Sequence, residues 1–138
     1  MFALTYPVEV EEAGPADFVA TFPDVPEAIT GAETREQALV LASEALAVAI
    51  EHYLELGRAV PPPAERPDLP QVPLEPAIAA RLLLIQAMAH QGLSKVALAA
   101  RMGVDEKAAR RIVAGRNVTL DRTLDALRAV GVHPALAV

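Results

Sequence analysis

The chain of 138 residues has no cysteine, 53% hydrophobic residues and a formal charge of −6. This composition excludes disulfide scaffolds and thiol chemistry and is compatible with a reducing cytoplasm. The charge is unevenly spread: residues 1–76 hold three arginines against fourteen acids, a balance of −11, and residues 77–138 hold nine cations against four acids, a balance of +5. Two small domains are expected, one suited to a basic protein partner and the other to a polyanion.

In chain order, Phe2, Leu4, Tyr6, Val8 and Val10 alternate with Ala3, Thr5, Pro7, Glu9 and Glu11, the period of a strand with one buried face. Pro7 suggests an edge position. Residues 1–20 also contain Glu9, Glu11, Glu12 and Asp17 and lack a basic flank before an apolar core, so no signal peptide is expected. A turn at Ala13-Gly14-Pro15 leads into a second strand in which Phe18, Ala20 and Phe22 alternate with Val19 and Thr21. Ala28-Ile29-Thr30 forms a short third strand ended by Gly31.

Thr34, with Gln37 three residues on, opens a helix that runs to Leu56 and stops at Gly57. Its apolar face comprises Ala38, Leu39, Ala42, Ala45, Leu46, Ala49, Ile50, Tyr53 and Leu54, and the alanines at 42 and 45 are placed for close seating on a sheet. Tyr53 reads as core and His52 as solvent-exposed. From Pro61 to Pro76 there are seven prolines in sixteen residues, which excludes a helix and favours extended geometry. The later part, 64–76, is read as a linker with a reach on the order of 50 Å over the whole stretch. Leu69 and Val72 leave open a fourth strand on the sheet.

Helices are expected at Ala77–His90, Ser94–Met102, Asp105–Ala114 and Leu120–Val130, with glycines near their ends, and Val132–Val138 is too short to classify. Ala77–Ala89 is alanine-rich but short and interrupted by Arg81, so no membrane span is expected. Between Leu93 and Arg116, Ser94 caps a first short helix, Met102-Gly103-Val104 makes a turn, and a second helix follows from Asp105. Ala99, Gly103, Val104 and Ile112 sit where crossing helices need close approach, which leaves Asp105, Glu106, Lys107, Arg110 and Arg111 exposed. This is the spacing of a helix-turn-helix whose exposed residues face the major groove; the alternative is an ordinary helical hairpin with a solvated basic face.

The runs YPVEVEE and FVATFPDVPEAITGAETREQALVLASEALAVAIEHYLELGRAVPPP resemble the N-terminal domain of HicB antitoxins over about the first 63 residues. The features shared are the tyrosine-proline strand, the Phe22-Pro23-Asp24 loop, the Thr30-Gly31 step and the alanine-rich helix entered through Thr34 and Gln37. GLSKVALAARMGVDEKAARRIVAGR, with TLDRTLDALRAVGV behind it, resembles the Cro and phage-repressor helix-turn-helix domains that many HicB proteins carry. Two places depart from these patterns. Glu27-Ala28 stands where the family often has glycine-cysteine, and Asp105-Glu106 opens a recognition helix that commonly starts with serine or glutamine. Asp105 is read as a helix cap in preference to a base contact.

The resemblance implies three segments: a toxin-binding domain over 1–63, a proline-rich linker over 64–76 and a helix-turn-helix domain over 77–138. The first is an α+β domain, an antiparallel sheet of three or four strands with one long helix in a partly truncated ribonuclease-H-like fold; the last is all-α. The implied function is that of a cytoplasmic antitoxin. It binds a small basic ribonuclease toxin of the HicA type and, as a homodimer or tetramer, represses its own operon by binding operator double-stranded DNA. The DNA-binding candidates are Lys95, Glu106, Lys107, Arg110, Arg111 and Arg116, with Lys95 placed for phosphate and Arg110 for a guanine edge. Glu9, Glu11, Asp17 and Asp24 are the toxin-binding candidates. Their spacing argues against a two-metal ribonuclease site, and His52, His90 and His133 lack the spacing of a zinc motif, so neither catalysis, cofactor nor metal is expected. The rival reading is a free-standing repressor whose N-terminal domain senses a small ligand.

Overall fold

The computed structural model describes residues 4–133, so Phe2 and Ala3 of the expected first strand and residues 134–138 of the tail lie outside the described residues. The chain divides into two compact units, residues 4–75 and the residues from Pro76 onward. In the first, the single strand expected from residue 2 to 11 is two strands in different sheets, β1 (Thr5–Pro7) and β2 (Glu9–Gly14), parted at the fully buried Val8. β2 pairs antiparallel with β3 (Asp17–Thr21), which pairs antiparallel with β4 (Ile29–Ala32). The turn falls at Pro15-Ala16, one step later than expected, with Ala16 at φ 50°. Gly31 does not end β4: it pairs with Val19, and the ladder continues to Ala32 opposite Phe18.

β1 pairs antiparallel with β5 (Gln71–Pro73), inside the segment read as a linker. Prolines can stand in this ribbon because the flanking donors are not prolines: Val8 N–H donates to Pro70 O at 3.0 Å and Leu74 N–H to Leu4 O at 2.8 Å. Val72 and Leu74 are buried. Upstream, Tyr6 Oη donates to Pro61 O at 2.7 Å and Ala64 N–H donates to Asp24 Oδ2 at 3.0 Å. Residues 61–74 therefore belong to the fold of the first unit, and the strand left open by the sequence forms at 71–73.

The helix α1 (Arg35–Glu55) starts where expected, Thr34 Oγ1 accepting from Gln37 N–H at 3.1 Å. It packs on β2, β3 and β4 through Ala38, Ala42, Leu46, Ala49, Ile50 and Tyr53, a narrower stripe than expected, since Leu39, Ala45 and Leu54 are only half-buried. Cross-strand partners share a sheet face. Val10, Ala20 and Thr30 lie on the helix side, and Glu9, Thr21 and Ile29 lie on the other.

The second unit is four helices: α2 (Pro76–Gln91), α3 (Lys95–Met102), α4 (Glu106–Ala114) and α5 (Leu120–Ala129). Pro76 opens α2, where a missing N–H costs nothing. Ile78, Leu82, Leu84, Met88, Leu98, Ile112 and Leu127 are among its buried side chains. Gly115, at φ +69°, ends α4 where an added Cβ would lie 3.0 Å from Arg81 Cδ. Arg81 Nε in turn donates to Val113 O at 2.8 Å, tying α2 to the end of α4.

Candidate functional site

Two caps set the geometry of α3 and α4. Ser94 Oγ accepts from Ala97 N–H at 3.1 Å, and Asp105 Oδ1 accepts from Ala108 N–H at 2.7 Å, so Asp105 spends its carboxylate on the helix end. Gly103, in the left-handed region, closes α3 and turns the chain toward Asp105. With Ala99, Ala109 and Ile112 buried, Lys95, Glu106, Lys107, Arg110, Arg111 and Arg116 are all exposed. Arg110 is not a free guanidinium: its Nε donates to Glu106 Oε1 at 3.0 Å and its Nη2 is directed at the same oxygen. Arg122 escaped the sequence reading. It lies in the first turn of α5, three residues after the cap Thr119, whose Oγ1 accepts its N–H at 3.2 Å. With Arg111, Asn117 and Thr119 it lines a concavity of about 310 Å³ beside α4. Thr119, a capping residue that places Arg122 in the first turn of α5, was the local signal.

The acidic candidates of the first unit fall into two groups. Glu9 and Glu11 lie on the sheet face away from α1, with Asp17 at the start of β3 on the same face. Asp24 is not among them; half-buried after β3, it accepts the Ala64 amide. A second acidic feature was not foreseen. A groove of about 450 Å³ runs between β4 and α1, lined by Glu27, Ile29, Thr30, Leu41, Glu44, Ala45, Val48, Ala49 and His52. Tyr53 Oη lies 2.8 Å from both carboxylate oxygens of Glu27, and the Arg58 guanidinium sits 4.7 Å from the centre of the Tyr53 ring. The hydrogen bond from Tyr53 holds the Glu27 carboxyl below its ordinary range, its own backbone and the Arg58 and His52 charges adding to the effect. Among the described residues no group of three or more His, Asp or Glu is arranged to hold a metal ion, and no helix is long and apolar enough to cross a membrane.

The family model described as HicB_like antitoxin of bacterial toxin-antitoxin system matches residues 5–74. The chain belongs to the HicB antitoxin family. The match to the HicB model begins at β1 and ends just after β5, so it takes in every strand and the helix of the first unit. Similarity to individual HicB proteins reaches further. Antitoxin HicB 2 of Photorhabdus laumondii is 36% identical over 133 residues, 94% of this chain and 93% of that protein. Antitoxin HicB 1 of the same organism is 37% identical over 117 residues, 84% and 74% of the two chains. Antitoxin HicB of Escherichia coli K12 is 29% identical over 132 residues, 93% and 94%. Membership in the HicB family assigns an antitoxin role and implies a toxin as the partner.

Proposed function

We propose that this chain neutralises a small basic HicA-type ribonuclease toxin with its first unit and represses its own operon with its second, without catalysing a reaction, in the cytoplasm. The observation that carries this reading is the division of an antitoxin into two compact units of opposite charge, −11 and +5. Opposite charge raises the rate at which the acidic unit meets a basic RNA-binding face, and apolar contacts then supply affinity. In the second unit α3 and α4 act as a helix-turn-helix. Lys95 at the start of α3 meets phosphate, and Lys107, Arg111 and Arg116 add to the cationic surface. Arg110 donates to a guanine while its partner Glu106 accepts from a cytosine amino group, so the ion pair opens onto bases rather than onto water. One short helix reads few base pairs, so a dimer or tetramer binds two half-sites about one turn of DNA apart.

The test is to coexpress the tagged chain with the small protein encoded beside it, and to titrate the copurified complex and the free chain against a duplex carrying the upstream region. Copurification and tighter binding to this duplex than to a scrambled one are expected. Failure to copurify removes the antitoxin half; sequence-specific DNA binding without any toxin partner would instead favour a repressor whose first unit senses a small ligand.

A further inference from the structure

We infer that the toxin docks in the groove between α1 and β4, adding an extended basic and apolar segment to the free edge of β4. This rests on the antitoxin reading above and names the surface that performs it. Of the strands in the first unit, β4 is the one whose edge is left unguarded. Its sheet runs in the order β2-β3-β4, and among the described residues no strand pairs beyond β4. Free edges are ordinarily blunted by proline, charge or a bulge. The β1–β5 ribbon carries Pro7 and Pro73, and the opposite edge, β2, carries Glu9, Glu11, Glu12 and an irregularity before Gly14. β4 reads Ile-Thr-Gly-Ala, with neither proline nor charge.

The groove beside that edge has an apolar floor. Leu41, Ala45 and Val48 form a stripe on α1 next to the one that packs on the sheet, and Val48 is 67% exposed; on the other face of the same edge strand, Ile29 is 60% exposed. An unguarded edge beside exposed apolar side chains is the arrangement that receives an added strand, main-chain hydrogen bonds giving affinity and side-chain seats giving specificity. Charge selects the occupant. Glu27 and Glu44 line the groove, and Tyr53 fixes the Glu27 carboxylate in place. A second copy docked about a two-fold axis would set this patch against itself, acid facing acid. A basic segment gains from the same carboxylates.

The experiment uses the full chain and the purified toxin, with binding followed by calorimetry. Val48→Asp and Glu44→Lys are exposed substitutions on α1; each should weaken toxin binding about tenfold or more, leave the thermal transition and operator binding unchanged, and leave the chain's own oligomeric state unchanged. Glu12→Gln, on the edge strand β2 at the far side of the sheet from β4, should bind nearly as the unaltered protein does. Unaltered protein that does not bind the toxin would overturn the antitoxin reading and the groove with it. Toxin binding by the unaltered protein that both groove variants retain would overturn the groove alone. A variant that loses self-association but keeps the toxin would show the occupant to be a second copy, which also overturns it.

Discussion

The two tyrosines of the chain each direct a hydroxyl at an oxygen outside their own element, and both contacts can be tested singly. Tyr6 is buried with its Oη on Pro61 O, and burial, with the Asp24 charge adding, pushes its pKa up from 10.0 to about 12. Folding thus favours the neutral phenol: this contribution is complete below pH 10 and is lost as pH rises toward about 12. Tyr6→Phe should lower stability by about 0.5–1.5 kcal/mol near neutral pH and flatten the alkaline loss, as read from urea transitions across pH; equal alkaline slopes in the two proteins would contradict this. Asp105 supplies a second test at this scale. Sequence favoured the cap over a base contact, although an acid ahead of a helix serves either purpose; its bond to the Ala108 amide makes it a cap. Asp105→Ala should cost about 0.5–2 kcal/mol, and Asp105→Asn, which caps as well, should restore the melting temperature together with operator affinity.

At the scale of elements, the helices were legible because their ends are written locally: Thr34, Ser94, Asp105 and Thr119 each accept an amide three residues on. Strands were less legible, because pairing is set by distant chain. Nothing near Val8 announces that β1 leaves the sheet of β2, and proline argued against the strand that forms at Gln71–Pro73. Periodicity also set the buried face of α1 too wide. It grouped Ala42 with Ala45, yet Ala42 is fully buried and Ala45 lines the groove beside β4. Ala42→Leu should therefore overpack the core by about 1–3 kcal/mol, whereas Ala45→Leu should change stability by less than about 0.5 kcal/mol. Chemical denaturation of both variants checks this, and equal losses would restore the wider face.

For the whole molecule, the division of charge was legible from residue counts alone, and with it the two partner classes proposed here. The working boundary was not, because proline content reads as linker until its partner strand is known. A fragment ending at residue 63 lacks Val72 and Leu74, both buried, and the partner of β1. Residues 1–75 should fold, bind the toxin and leave operator DNA unbound, while residues 1–63 should be unstable. Circular dichroism melts and growth rescue on coexpression with the toxin separate the two, and full rescue by the shorter fragment would show that β5 is dispensable. The β1–β5 pairing also orders events at the ribosome. β2, β3, β4 and α1 find partners among nearby residues as they emerge, but β1, made first, waits for residues 71–73. A message cut before the codons for residues 71–73 yields a first unit without this pairing, and in an intact one β1 stays unpaired until residues 71–73 have left the exit tunnel.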